Sequence, residues 1–190
     1  MATESDVPAG RIWTIGHSTH PFETFVELLA AHGIQQLADV RSFPASRRHP
    51  HFARPSLEVS LPTRGIAYRW MPALGGMRKA DPASTQNAAW RVEGFRGYAD
   101  YMQTPQFATA VTELEAWARH APTAFMCAEA KYWQCHRQLL SDALVVRGWQ
   151  VMHILSEAAP RPHALPSFAR VEPGGRLTYP AEPELPLFET

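Results

Sequence analysis

Apolar runs of strand length alternate along this chain with longer runs whose apolar residues recur every three or four positions, and no other feature restricts its fold as strongly. Residues 11–16, Arg-Ile-Trp-Thr-Ile-Gly, read as a buried strand closing at a glycine. Pro21 suits a first helical turn, and Phe22, Phe25, Val26, Leu29 and Ala30 follow at helical spacing until Gly33 stops the helix. Residues 34–40 are a predicted second strand, 56–61 a short helix and 66–71 a third strand. A polar connection begins at Leu74 and runs to about residue 93. Helical spacing returns over 95–102 and again after Thr104-Pro105, where Phe107, Val111, Leu114 and Trp117 share a face. Residues 123–127 are a fourth strand, 135–147 a helix ended by Gly148, and 149–155 a fifth strand.

A parallel neighbour requires a crossover connection, which a helix supplies, so strands separated by helices imply mostly parallel pairing. The predicted fold is α/β, with one domain over residues 11–156 and a mostly parallel five-stranded sheet flanked by helices. Residues 1–10 carry no period and read as a flexible end. Residues 157–190 hold seven of the 17 prolines and read as a Pro-rich tail wrapping the domain.

The 190 residues are enough for one real core, and 45% hydrophobic against 19% charged residues describe a soluble globular protein. No run reaches the roughly 18 apolar residues of a membrane span, and the polar start lacks a secretory pattern. The expected compartment is therefore the cytoplasm, with no membrane partner. Two cysteines cannot form a disulfide framework, and in a reducing compartment they stand as thiols. A formal net charge of zero argues against a protein that coats nucleic acid. Locally the balance differs: Arg41, Arg47, Arg48, Arg54, Arg64, Arg69, Arg78 and Lys79 face only Glu58 within residues 41–79.

In a parallel sheet the strand C-termini share one edge, so Gly16-His17-Ser18, Asp39-Val40-Arg41-Ser42 and Cys127-Ala128-Glu129 are expected to open together. The guanidinium forks of Arg41, Arg47 and Arg137, with Ser18 and Ser42 nearby and a helix start at Cys135, suit a phosphate or carboxylate. Arg41 has a structural alternative in pairing with Asp39 or Glu129. Cys135 at a helix start beside His136 and Arg137 has the setting of a thiolate nucleophile, or of a packed residue. Cys127 at a buried strand end fits a small packed hydrophobe. Glu129 suits proton transfer if buried against Tyr132 and Trp133, with His17 as its partner or as a hydrogen-bonded turn residue. Tyr98 and Trp133 are among the rings that could stack on a base, although most rings of this stretch are expected in the core. No cofactor is predicted. Zinc or iron is the rival explanation of the Cys, His and Glu set, and the Cys-x7-Cys-His spacing lacks the close pairs of structural zinc sites.

These residues resemble the DUF488 family in Thr14-Ile-Gly-His-Ser18, Asp39-Val-Arg-Ser42 with Pro44 and Ser46-Arg47, Leu74-Gly-Gly76, Phe95-Arg-Gly-Tyr-Ala99 with Met102, Met126-Cys-Ala-Glu129, Cys135-His-Arg137 and Val151-Met-His-Ile154. The resemblance spans about residues 11–180 and implies a single α/β domain. It also implies that His17, Arg41, Arg47, Glu129, Cys135, His136 and Arg137 occupy motif positions, in a family with no assigned reaction. A second likeness is to rhodanese domains, which would give Cys127 the sulfur-carrying position. Glu184-Leu-Pro-Leu-Phe188 is similar to the peptides by which bacterial repair proteins dock on the sliding clamp, with Glu184 in place of glutamine.

The functional expectation is an enzyme acting on a phosphate-bearing substrate, a nucleotide or nucleic acid linked to DNA repair. Arg41, Arg47 and Arg137 would hold the anion, Glu129 and His17 would move protons, and Cys135 or His136 would supply the nucleophile. The alternatives are a nucleic-acid or nucleotide binding module without turnover, and a sulfur-transfer or redox protein using Cys127.

Overall fold

In the computed structural model, which describes residues 10–45 and 47–181, each apolar run pairs as a strand and each run of helical period packs beside it. The elements are β1 (Gly10–Gly16), α1 (Phe22–Ala31), β2 (Gln36–Asp39), α2 (Arg54–Ser60), β3 (Ala67–Trp70), α3 (Glu93–Tyr101), α4 (Pro105–Ala118), β4 (Thr123–Cys127), α5 (Arg137–Val146) and β5 (Trp149–Ile154), followed by the short strands β6 (Arg161–Pro162), β7 (Arg170–Val171) and β8 (Leu177–Thr178). The first nine residues, Ser46 and the 184–188 docking peptide lie outside the described residues.

Five strands are parallel, in the order β3-β2-β4-β1-β5. A sixth, β6, joins β5 antiparallel through His153 and Arg161 and corrects the expected count of five. Its two exposed residues have no apolar period to announce them, and its proline is tolerated because the strand lies at an edge. β2 starts later than its apolar run because the Ile34 N–H bonds Leu29 O and so closes α1, with Gly33 left-handed at φ 67°. α5 likewise starts at Arg137. Cys135 before it is extended, at φ −139° and ψ 150°.

Strand alternation divides the core. Ile15, Leu37, Ala124, Met126 and Ile154 face α1 and α2, through Phe25, Leu29, Leu57 and Leu61. Ile12, Ala38, Phe125, Cys127 and Val151 face α3, α4 and α5, through Tyr98, Val111, Leu114, Leu139 and Leu144. A three-layer α/β/α sandwich follows. The neighbouring strands β1 and β4 therefore lead to helices on opposite faces, and such a divergence opens a crevice at the sheet's C-terminal edge. The tail packs on this domain at least to Tyr179, whose buried hydroxyl donates to Asp142 Oδ2 at 2.7 Å and whose N–H reaches Asn87 Oδ1 at 3.1 Å.

Candidate functional site

The crevice begins where β1 and β4 stop. His17 N–H bonds Cys127 O and Ser18 N–H bonds Ala128 O, extending the ladder by two rungs, and Ser18 then turns the chain with a left-handed φ of 49°. Gly16 is obligatory at this point: a Cβ there would fall 1.8 Å from Glu129 O and 2.9 Å from Arg137 Nη2.

Behind the crevice, Asp39 and Arg41 lock each other. Arg41 Nε donates to Asp39 Oδ1 at 2.8 Å and Nη2 to Oδ2 at 2.5 Å, while Nη2 also reaches Phe52 O at 2.8 Å and Nη1 lies 3.2 Å from His17 Nε2. Four of the five guanidinium donors are thus committed within the chain. Asp39 also accepts from Tyr68 Oη at 2.7 Å. The structural alternative for Arg41 is the one realised, with Asp39 as partner; its side chain borders the cleft but its fork is not presented to a ligand.

His17 is tied at both nitrogens. A guanidinium cannot accept, so Nε2 is the acceptor from Arg41, and Nδ1 carries the proton that it donates to Ser18 O at 2.9 Å. The ring stacks on Phe52 with centroids 4.2 Å apart. Burial, reinforced by the Arg41 charge, lowers its pKa to about 4, so it is neutral near pH 7. It is a turn-fixing residue here, since moving a proton to a ligand would break one of those bonds.

Cys127, Cys135 and His136 meet beside it. His136 Nε2 lies 3.1 Å from Val40 O and must donate to it, which leaves the Nδ1 lone pair facing Cys135 Sγ at 3.6 Å and Cys127 Sγ at 3.9 Å. All three side-chain donor atoms lie within 4.8 Å of one another. Cys127 Sγ also donates to Glu129 Oε2 at 3.0 Å. The hydrogen bond with Cys135, then burial and the Glu129 charge, push the Cys127 thiol well up. Burial opposes ionisation of Cys135 too, but the hydrogen bond from Cys127, the hydrogen bond and charge that His136 supplies when its ring is protonated at both nitrogens, and the charge of Arg137 outweigh it and lower the Cys135 pKa. If one of the pair is a thiolate it is Cys135. Glu129 is exposed at the cleft wall, so the expected burial against Tyr132 and Trp133 is absent.

Arg137 is 1% exposed and turns inward. Nη1 donates to Thr14 Oγ1 at 2.9 Å, and Nη2 donates to the carbonyls of Glu129 and Ala130, clamping the 129–130 turn onto β1. It lines neither cavity at this edge, and its terminal nitrogens are spent within the chain. No carboxylate lies within ion-pair distance of it among the described residues, so it contributes an uncompensated positive charge beneath the thiols.

Two adjoining cavities open at this edge. One, of about 380 Å³, is lined by Cys127, Cys135, His136, Glu129, Ser42 and Gly76 and rimmed by Phe43, Met77 and Val92. Those three rim residues are 74%, 74% and 60% exposed, an apolar lip left uncovered. The other, of about 530 Å³, is lined by His17, Ser18, Arg47, Arg48 and His49, and shares Arg41, Phe43, Ala128 and Glu129 with the first. The rest of the basic stretch is dispersed: Arg54 pairs with Glu58, Arg64 with Glu23, and Arg69 lies over Trp117. Tyr98 is fully buried with its hydroxyl on Leu74 O, and Trp133 packs on Tyr132 outside both cavities, so neither is a ligand-stacking ring in this arrangement. Sequence reasoning missed the lip and Gly76, where a Cβ would sit 2.3 Å from His136 Nδ1. The Leu74-Gly-Gly76 motif was the available signal.

The architecture is that of an α/β protein with a thiol–imidazole–carboxylate cleft at the C-terminal edge of its parallel strands. The chain belongs to the family described as domain of unknown function DUF488, whose model matches residues 21–144. That match includes Arg41, Glu129, Cys135, His136 and Arg137 but stops short of His17 and of the Val151–Ile154 motif. No curated protein and no solved structure matches the chain. Among the described residues no helix is long and apolar enough to cross a membrane.

Proposed function

We propose that the protein is an enzyme acting on a phosphate-bearing substrate, a nucleotide or a nucleic-acid strand, that lies across the two joined cavities. The observation that carries this reading is their adjacency: a lobe with Arg47 and Arg48 shares a wall with a lobe holding two thiols, an imidazole and a carboxylate. Phosphate would sit at the exposed arginines. A flat apolar group, such as a nucleobase, would lie against the lip of Phe43, Met77 and Val92, and the reacting bond would reach Cys135, His136 and Glu129.

The division of labour differs from that suggested by spacing alone. Arg41 and His17 position the floor, Arg137 holds the Glu129 turn, and Glu129 is the carboxylate free to exchange protons with a ligand. Binding of labelled nucleotides and short single-stranded oligonucleotides at low and moderate salt tests the reading. Affinity is expected to fall with salt, and Arg47→Ala with Arg48→Ala to reduce the logarithmic salt slope by about two. Absence of binding at low salt refutes the substrate class. Binding without product after prolonged incubation would instead favour a recognition module. Where turnover is found, Glu129→Gln and Cys135→Ser should each abolish it with the fold intact.

The two thiols, within 4.8 Å of each other, support a second reading, sulfur transfer or dithiol redox chemistry, with Cys135, whose pKa is lowered, rather than Cys127 as the attacking sulfur. Mass mapping of persulfide on the purified protein checks it; an unmodified pair that stays inert to a persulfide donor rules it out.

A further inference from the structure

We infer that Cys127, Cys135 and His136 form a binding site for a zinc-class divalent ion whose fourth coordination position opens into the 380 Å³ cavity. Tetrahedral zinc with bonds of about 2.3 Å to sulfur and about 2.05 Å to nitrogen places its S and N ligands about 3.6 Å apart. The two Sγ···Nδ1 separations, 3.6 and 3.9 Å, already fit that edge. His136 is set up as a ligand: Val40 O holds the Nε2–H, which fixes the ring and aims the Nδ1 lone pair at both sulfurs. The three residues are 6%, 3% and 8% exposed, yet all three line the cavity.

Two thiols and one imidazole select zinc, or ferrous iron in the same geometry, over the hard oxygen-seeking cations. Binding of a divalent ion releases to solvent the protons that the two sulfurs still carry and leaves a neutral centre of two thiolates, one imidazole and the metal, which suits a buried position. Three protein ligands with an open fourth position describe a catalytic rather than a structural site. Glu129 is not counted as a ligand. Its carboxylate stands beside the open side, 3.0 Å from Cys127 Sγ. The eight-residue separation of the thiols departs from the close pairs of structural zinc sites, and the turn from the end of β4 to the start of α5 closes it in space.

The reduced, chelator-stripped full-length protein, kept anaerobic, tests this when titrated with Co²⁺ and then with Zn²⁺. One Co²⁺ per chain should bind with thiolate-to-metal absorption in the near ultraviolet, and one Zn²⁺ should displace it. Cys135→Ser and His136→Gln should each weaken binding by about 100-fold or more, and Glu129→Gln should leave the stoichiometry at one. No thiolate absorption with Co²⁺, or unaltered uptake by folded His136→Gln, overturns the site. Should the variants not fold, wild-type protein still decides: Zn²⁺ must slow alkylation of Cys127 and Cys135, and equal rates with and without Zn²⁺ overturn the proposal. None of these readouts uses a substrate, so the site and the proposed substrate class stand or fall separately.

Discussion

Replacing His17 with Phe tests the claim that this histidine is held neutral by burial between Phe52 and Arg41. The variant keeps the stack on Phe52 but removes both the titrating group and the acceptor for Arg41 Nη1. The pKa of His17 is lowered from 6.5 to about 4, first by burial and then by the Arg41 charge, against weaker support from the Ser18 carbonyl and Asp39. A depressed pKa favours the deprotonated form in the folded state. The unfolded chain therefore takes up a proton first as pH falls below 6.5, and the stability present above that pH is lost down to about 4. At 1.36 kcal/mol per pH unit the full effect is about 3 kcal/mol, and about 2 kcal/mol is a realistic yield between about pH 7.5 and 4.5 once residual solvent is allowed for. Urea unfolding of both proteins across that range is the assay. The variant should be the less stable at the upper end, with the gap closing by about 2 kcal/mol in acid. Other groups, among them the raised Asp142, titrate in both proteins and cancel in the difference. A gap that stays constant with pH would refute the buried neutral ring.

Asp39→Asn leaves Arg41 buried without its carboxylate and should cost about 3 kcal/mol by urea midpoint; a loss under about 1 kcal/mol would mean that the pair carries little. Gly76→Ala places a methyl 2.3 Å from His136 Nδ1, so the ring must move: a destabilisation of about 1–3 kcal/mol is expected, with a changed His136 NMR signal, and an unmoved signal would count against that packing. Tyr179→Phe removes the hydroxyl bond to buried Asp142 and should cost about 1–3 kcal/mol in the same unfolding assay, whereas no change would detach the tail from the domain.

Some of the site could be read in residue order because its cause is local. The period of Phe22, Phe25, Val26 and Leu29 makes α1, and the runs ending at Gly16, Asp39 and Cys127 make strands whose parallel pairing brings their ends to one edge. The placing of Cys127, Glu129, Cys135 and His136 at one cleft follows from that. Arg41 and Arg137 were harder, because a motif arginine looks the same whether its fork meets a ligand or Asp39, Thr14 and a pair of carbonyls. β6 was illegible for another reason: edge pairing of Arg161-Pro162 depends on the exposed flank of β5, not on any period of its own.

The sequence by itself determined the alternation of strands and helices, and with it which turns share the C-terminal edge, since both follow from spacing along the chain. Tertiary structure alone decided which of those side chains face the cleft. With β4 inserted between β1 and β2, the first turn of α5 lies against β1, and Arg137 is buried with its terminal nitrogens on Thr14 and the 129–130 carbonyls and its Nε without a partner. The same insertion brings His136 to the Val40 carbonyl and to both sulfurs. Burial and hydrogen-bond satisfaction are set by neighbours distant in sequence, and no local pattern contains them.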